Sequence, residues 1–91
     1  MKLARKIRNL RKEKGWILEE LAHKTGVSIS YLSKVEARGE IPSPEMLVLL
    51  TVMLDGNVKE LFKLAVKEKT EQLCNIISRN YNLREMQYYA I

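Results

Sequence analysis

Apolar residues recur along the chain at intervals of three and four positions, the spacing that places side chains on one face of an α-helix. In the first segment, roughly residues 2–14, Leu3, Ile7 and Leu10 form such a stripe, and most of the remaining positions are Lys or Arg. The same spacing predicts four further helices, over residues 18–24, 29–37, 44–54 and from 58 to about 78. No run of five or more residues alternates polar and apolar side chains, so the pattern favours an all-α fold.

Glycines and capping residues divide these helical segments. All four glycines fall where a helical pattern stops, and glycine most readily adopts the left-handed conformation that closes a helix. Asn57 and Glu60 have the capping-box spacing at the start of the fifth segment. Asn82 and Glu85 repeat it, which predicts a short final helix over about residues 83–89.

Composition indicates one small, soluble, basic domain. The chain has 91 residues, 46% of them hydrophobic, which is enough for one small core and too few for two domains. Its net charge of +5 favours a polyanionic partner. The basic N-terminus lacks the apolar stretch of a secretion signal, and no apolar run approaches the roughly 20 residues that cross a bilayer. We therefore expect a cytoplasmic protein with no membrane association.

Residue types that carry catalysis or bind metals are scarce. Cys74 is the single cysteine, so it cannot form an internal disulfide, and with one histidine it cannot complete a zinc site. That histidine, His23, lies beside two glutamates and is expected to be solvated. The chain contains no nucleophile elbow, no P-loop and no dinucleotide-binding glycine motif. We expect no enzyme, no metal site and no cofactor.

The second and third predicted helices are joined by the short turn at residues 25–27, as in a helix-turn-helix. In that motif the second helix enters the major groove of DNA. Counted from Leu18, the fifth, ninth, fifteenth and eighteenth positions carry a small residue, a glycine and two apolar residues: Ala22, Gly26, Leu32 and Val35. This series is the packing signature of the motif.

Residues 3–62 resemble the Xre and Cro-like repressor family of phage and bacterial regulators. The resemblance is carried by IRNLRKEKG, LEELAHKTGVSISYLSKVE and IPSPEML together. It implies a five-helix repressor-like DNA-binding domain over residues 1–66, followed by a C-terminal helical extension over residues 67–91. It also implies that Arg11, near the end of the first helix, pairs with Glu36 at the end of the recognition helix.

The resemblance further assigns contacts to double-stranded DNA. The base-contacting positions of the family correspond to Ile29, Ser30, Ser33 and Lys34. The expected phosphate contacts are Ser28, Tyr31 and Arg38. Lys34 has the chemistry to donate to guanine O6 or N7, whereas Ile29 offers only apolar contact, such as with a thymine methyl.

The start of the second helix departs from the family pattern. Family members usually have a Ser or Thr cap followed by a Gln that contacts a phosphate, and this chain has Ile17 and Leu18 there. That phosphate contact is therefore missing. Together with Trp16 these residues also allow an exposed apolar patch that meets a protein partner, although core packing is the expected role of Trp16.

The fourth helix is apolar nearly all round, and a helix of this kind must be covered on every side. We expect a homodimer interface from residues of this helix and of the extension: Leu49, Val52, Leu73, Ile76 and Ile77. The alternative is that the tail folds back on the fourth helix within one monomer.

These observations predict a sequence-specific DNA-binding transcriptional regulator, a repressor that binds a palindromic operator as a homodimer. Two alternatives remain open. One is an antitoxin that represses its own operon and binds a toxin through its tail. The other is a protein-interaction module that has kept the fold and lost DNA binding.

Overall fold

A computed structural model describes residues 2–80 of the chain, with side chains as far as Ile77. Its elements are five helices: α1 (Lys2–Glu13), α2 (Leu18–Thr25), α3 (Ile29–Ala37), α4 (Pro44–Met53) and α5 (Val58–Asn80). Within residues 2–80 there is no strand. The all-α prediction is confirmed, and the helix ends lie within two residues of those expected. The predicted helix over 83–89 falls outside the described residues.

All five helices contribute to one hydrophobic core. Each supplies at least one side chain with no exposed surface: Ile7, Leu21, Leu32, Leu50 and Leu61. Burying an aliphatic side chain of this size stabilises a fold by about 1.5–3 kcal/mol relative to leaving it exposed. The core therefore holds the helix-turn-helix, α2 and α3, against α1 and α4.

The start of α1 is fixed by α5. The first turn of α1 has no acidic residue of its own. The backbone amide of Leu3 donates instead to Oε1 of Glu68 at 2.9 Å. This carboxylate satisfies an amide that has no partner within the helix and lies at the positive end of the helix dipole. Glu68, two residues beyond the expected domain boundary, thus contacts the core-forming part of the chain.

The turn between α4 and α5 corrects one expectation about glycine. Positive φ is found at three of the glycines: Gly15, Gly26 and Gly39. In the fourth case the left-handed residue is Asp55, with φ of 53°, and not Gly56. A Cβ on Gly56 would lie 2.9 Å from Leu10 Cδ1 and 3.3 Å from Thr51 Cγ2. A side chain at this position would therefore force Leu10 to move.

Candidate nucleic-acid interface

The turn between α2 and α3 is built by two adjacent caps. Gly26 closes α2 in the left-handed conformation, with φ of 73°, and its amide bonds to the carbonyl of Ala22. Two residues later, Ser28 begins α3, and its side chain accepts a hydrogen bond from the amide of Tyr31 at 3.0 Å. Ala22 is only 4% exposed, and its small side chain lets the two helices approach closely. These contacts set the angle at which α3 leaves the turn.

Helix α3 has one buried and one exposed face. Leu32 and Val35 are fully buried in the core. The four residues expected to contact bases are all exposed: Ile29, Ser30, Ser33 and Lys34. The structure therefore brings these four side chains together on the outer face of α3, which presents hydroxyl, ammonium and aliphatic groups and no carboxylate.

The expected phosphate contacts flank this face. Ser28 and Arg38 are exposed at the two ends of α3. Tyr31 is half-buried against the core. Burial raises the pKa of Tyr31 above its ordinary value, and the negative charge of Glu40 raises it further. The phenol therefore stays neutral at physiological pH and remains a hydrogen-bond donor.

Arg11 and Glu36 form a bidentate ion pair between α1 and α3. Arg11 Nε lies 2.9 Å from Oε2 of Glu36, and Nη2 lies 2.9 Å from Oε1. The two side chains are only 13% and 7% exposed. The third guanidinium nitrogen, Nη1, donates to the carbonyl of Trp16 at 2.7 Å. One side chain thus holds together α1, the α1–α2 loop and α3. No local sequence signal predicted the contact with the Trp16 carbonyl.

The start of α2 is a poor site for an anion. Ile17 caps the helix without a side-chain acceptor, and its amide donates to Glu20 Oε1 at 3.4 Å. Glu19 and Glu20 add negative charge to the first turn. Ile17 is 57% exposed, whereas Trp16 packs against the core. The apolar patch considered from the sequence therefore consists of Ile17 and the exposed parts of Trp16 and Leu18, which are half-buried.

The residues expected at a dimer interface lie on α4 and α5. On α4, Val52 is 59% exposed and Leu49 is half-buried. On α5, Leu73 is 50% and Ile76 53% exposed, with Ile77 half-buried. Helix α5 packs on the core through Leu61 and Ala65 and continues without a break to residue 80. Up to that point the extension does not turn back over α4.

The described residues include neither a metal-binding cluster nor a membrane-spanning helix. Between residues 2 and 80, no three His, Cys, Asp or Glu side chains come together in a group that could hold a metal ion. None of the helices in this part of the chain combines the length and apolar character needed to cross a membrane. A hollow of about 440 Å³ is lined mainly by apolar residues of the loop before α4 and of α5.

Comparison with known proteins decides the family. The helix-turn-helix family profile matches residues 7–65, which include α2, α3 and the pair that holds them. The chain belongs to the helix-turn-helix family. The resemblance to Xre and Cro-like regulators is thereby confirmed, together with the five-helix fold.

Individual relatives point to transcriptional regulators. The HTH-type transcriptional regulator SinR of Bacillus subtilis (strain 168) is 41% identical over 70 residues, which are 76% of this chain and 61% of the relative. This chain therefore spans about 61% of the length of that relative.

Two solved structures add a DNA complex and a protein complex. One is SinR, the master regulator for biofilm formation, in complex with DNA; it has a TM-score of 0.61 and 41% identity, over 66% of this chain and 97% of that one. The other is the complex of SinR with SinI, with a TM-score of 0.62 and 28% identity, over 96% of this chain and 89% of that one.

Proposed function

We propose that this protein is a sequence-specific DNA-binding transcriptional regulator that inserts α3 into the major groove and acts as a repressor. The observation that carries the proposal is the outer face of α3, where Ile29, Ser30, Ser33 and Lys34 are exposed together. The Arg11–Glu36 pair keeps that face rigid. Similarity to SinR, a transcriptional regulator for which a DNA complex is known, supports the same function.

The side chains divide by chemistry into base contacts and backbone contacts. Lys34 donates to guanine, Ser30 and Ser33 bond to base edges, and Ile29 packs on a thymine methyl. Around them Ser28, Tyr31 and Arg38 hold phosphates, which position α3 without reading sequence. No step in this function needs a cofactor or a catalytic group, and we expect a DNA-binding regulator of this kind to act in the cytoplasm.

Lys34 and Arg38 provide a test of this division. The Lys34→Ala variant should lose about 1 to 3 kcal/mol of binding free energy on the preferred duplex and accept other bases at one position. Arg38→Ala should weaken binding to preferred and random duplexes about equally. Equal losses on both duplexes for Lys34→Ala would remove Lys34 from the base contacts.

A homodimer completes the proposal. One recognition helix reads few base pairs, and a two-fold dimer doubles the site. We place the contact at the exposed apolar side chains of α4 and α5, because Val52, Leu73 and Ile76 are each at least half exposed in the single chain. A two-fold axis there sets the two α3 helices about 34 Å apart, one turn of DNA.

Selection of duplexes from a random pool tests the dimer and the DNA function together. The full chain should recover a palindrome with half-sites about one helical turn apart. Light scattering on the same protein should give the mass of two chains. If the protein is a monomer and recovers an asymmetric site, the DNA-binding function stands and the homodimer is refuted.

A protein partner is the second candidate function. The likeness to SinR in its complex with SinI extends over 96% of this chain, including the apolar part of α5. That surface is then the binding site for a second protein, either a toxin in an autoregulating operon or another regulator. A module that had lost DNA binding would recover no duplex from the pool, whereas a regulator with a protein partner would recover one.

A further inference from the structure

A hollow beside the recognition helix brings α1 to the expected DNA surface. Its volume is about 220 Å³, and it lies where α1, the start of α2 and α3 meet. The lining residues are Arg8, Arg11, Leu18, Ser33, Glu36 and Ala37. Ser33 belongs both to this hollow and to the outer face of α3, so the hollow borders that face directly.

The charges of this hollow leave one cation available. Arg11 and Glu36 neutralise each other, and Nη1 of Arg11 donates a hydrogen bond to the Trp16 carbonyl. Arg8 is exposed and forms no ion pair with any residue in the described part of the chain. Since the other lining residues are uncharged, Arg8 gives the hollow a net charge of one positive unit.

When α3 occupies the major groove, a sugar–phosphate strand of the DNA lies next to this hollow. The major groove is about 12 Å wide, and a helix with its side chains is about 10–12 Å across. A groove occupied by α3 therefore has its sugar–phosphate strands immediately on either side of the helix. The hollow lies on one of those sides, next to Ser33.

We propose that Arg8 binds a phosphate of the DNA backbone in this hollow. The inference rests on the proposed DNA-binding function and adds a contact from α1 to those of α3. An Arg guanidinium suits this role because its fork of donors matches phosphate oxygens. Arg8 thus supplies, from α1, a cation on a flank where the start of α2 carries Glu19 and Glu20.

The test is the binding of full-length Arg8→Ala and Arg8→Gln to the selected duplex and to a random one, across a range of salt concentrations. Removal of a charge-assisted contact should weaken both complexes about tenfold and leave their ratio unchanged. The slope of log affinity against log salt should fall by about one phosphate contact. Arg8→Lys keeps the charge and should keep most of the slope.

Lys6→Ala is the matched control. Lys6 is two residues before Arg8, on the opposite side of α1, where its Nζ lies 3.3 Å from Oε1 of Glu60. The Lys6→Ala substitution removes the same charge from the same helix, away from the hollow. It should leave the slope of log affinity against log salt unchanged.

The outcomes separate the two proposals. If the parent binds DNA and Arg8→Ala behaves as Lys6→Ala does, the Arg8 contact is refuted and the DNA function stands. If the parent binds no duplex at any salt concentration, the proposed function fails, and the Arg8 contact fails with it.

Discussion

Apolar residues recur with the same helical spacing before and after Glu68. The two parts differ in whether those residues are buried within the chain. Up to Glu68, which we call the body, the apolar stripes of all five helices meet in one core. In the remainder, the projecting part of α5 (residues 69–80), Leu73 and Ile76 are about half exposed. A helical stripe therefore shows that a surface must be covered and leaves open whether the same chain covers it.

The greatest loss of stability is expected in the body, at the Arg11–Glu36 pair. The Glu36→Ala variant leaves a guanidinium unpaired in a site where it is only 13% exposed, and should lower the free energy of unfolding by about 3 to 5 kcal/mol. Urea denaturation measures this loss. Glu71→Ala, an exposed carboxylate of the projecting part, is the control and should change stability by no more than about 0.5 kcal/mol. Equal stability of both variants would show that the pair is solvated.

A charge on the projecting part should affect association and leave the fold intact. The Leu73→Glu variant places a carboxylate in the proposed dimer contact, and should weaken association at least about tenfold while retaining its helical signal. Light scattering over a concentration series measures the change. Asn75→Glu adds the same charge about 200° around the helix and should remain dimeric. A dimer of unchanged strength in Leu73→Glu would move the interface elsewhere.

A smaller loss of stability is expected at Gly56, in the turn between α4 and α5. In Gly56→Ala the new Cβ meets Leu10 Cδ1 at 2.9 Å, and relief of this contact should cost about 1 to 3 kcal/mol of stability. Gly15→Ala is the comparison, because nothing lies within 4 Å of the added Cβ and only the positive φ is strained. A melting temperature for Gly56→Ala equal to that of the parent would show that the core adjusts to a methyl group at this turn.

The smallest expected effect concerns alkaline pH. Because burial raises the pKa of Tyr31 in the folded state, the unfolded chain loses this phenol proton first as the pH rises. The resulting stability is complete below the unfolded pKa and disappears as the pH passes through the folded pKa. Between about pH 8 and about pH 11 the parent should therefore lose more stability than Tyr31→Phe. Equal losses would show that Tyr31 is solvated.

The sequence predicted what depends on neighbours along the chain. The helix ends were correct because periodicity and caps such as Ser28 and Asn57 are local signals. The side chains of Arg11 and Glu36, which the family resemblance implied to be paired, do meet in the structure. The all-α fold followed from these two kinds of information.

Contacts between distant residues were not predictable in this way. Glu68 caps α1 from 65 positions away, and no residue near Leu3 in the sequence indicates this contact. Gly56 was expected to be left-handed, and its actual constraint is the side chain of Leu10, which only the packed core brings near. The base contacts of α3 stay predictions, because they depend on a DNA sequence that the chain does not encode.

DNA recognition by α3 is tested most directly by measuring the affinity of the full chain for its selected duplex and for a random duplex as a function of salt. Phosphate binding by this basic surface should make both affinities fall steeply and linearly in logarithmic scale as salt rises. The selected duplex should bind at least about 10³-fold more tightly than the random one at physiological salt. An affinity that does not change with salt, or that is equal for both duplexes, would contradict DNA recognition by the outer face of α3.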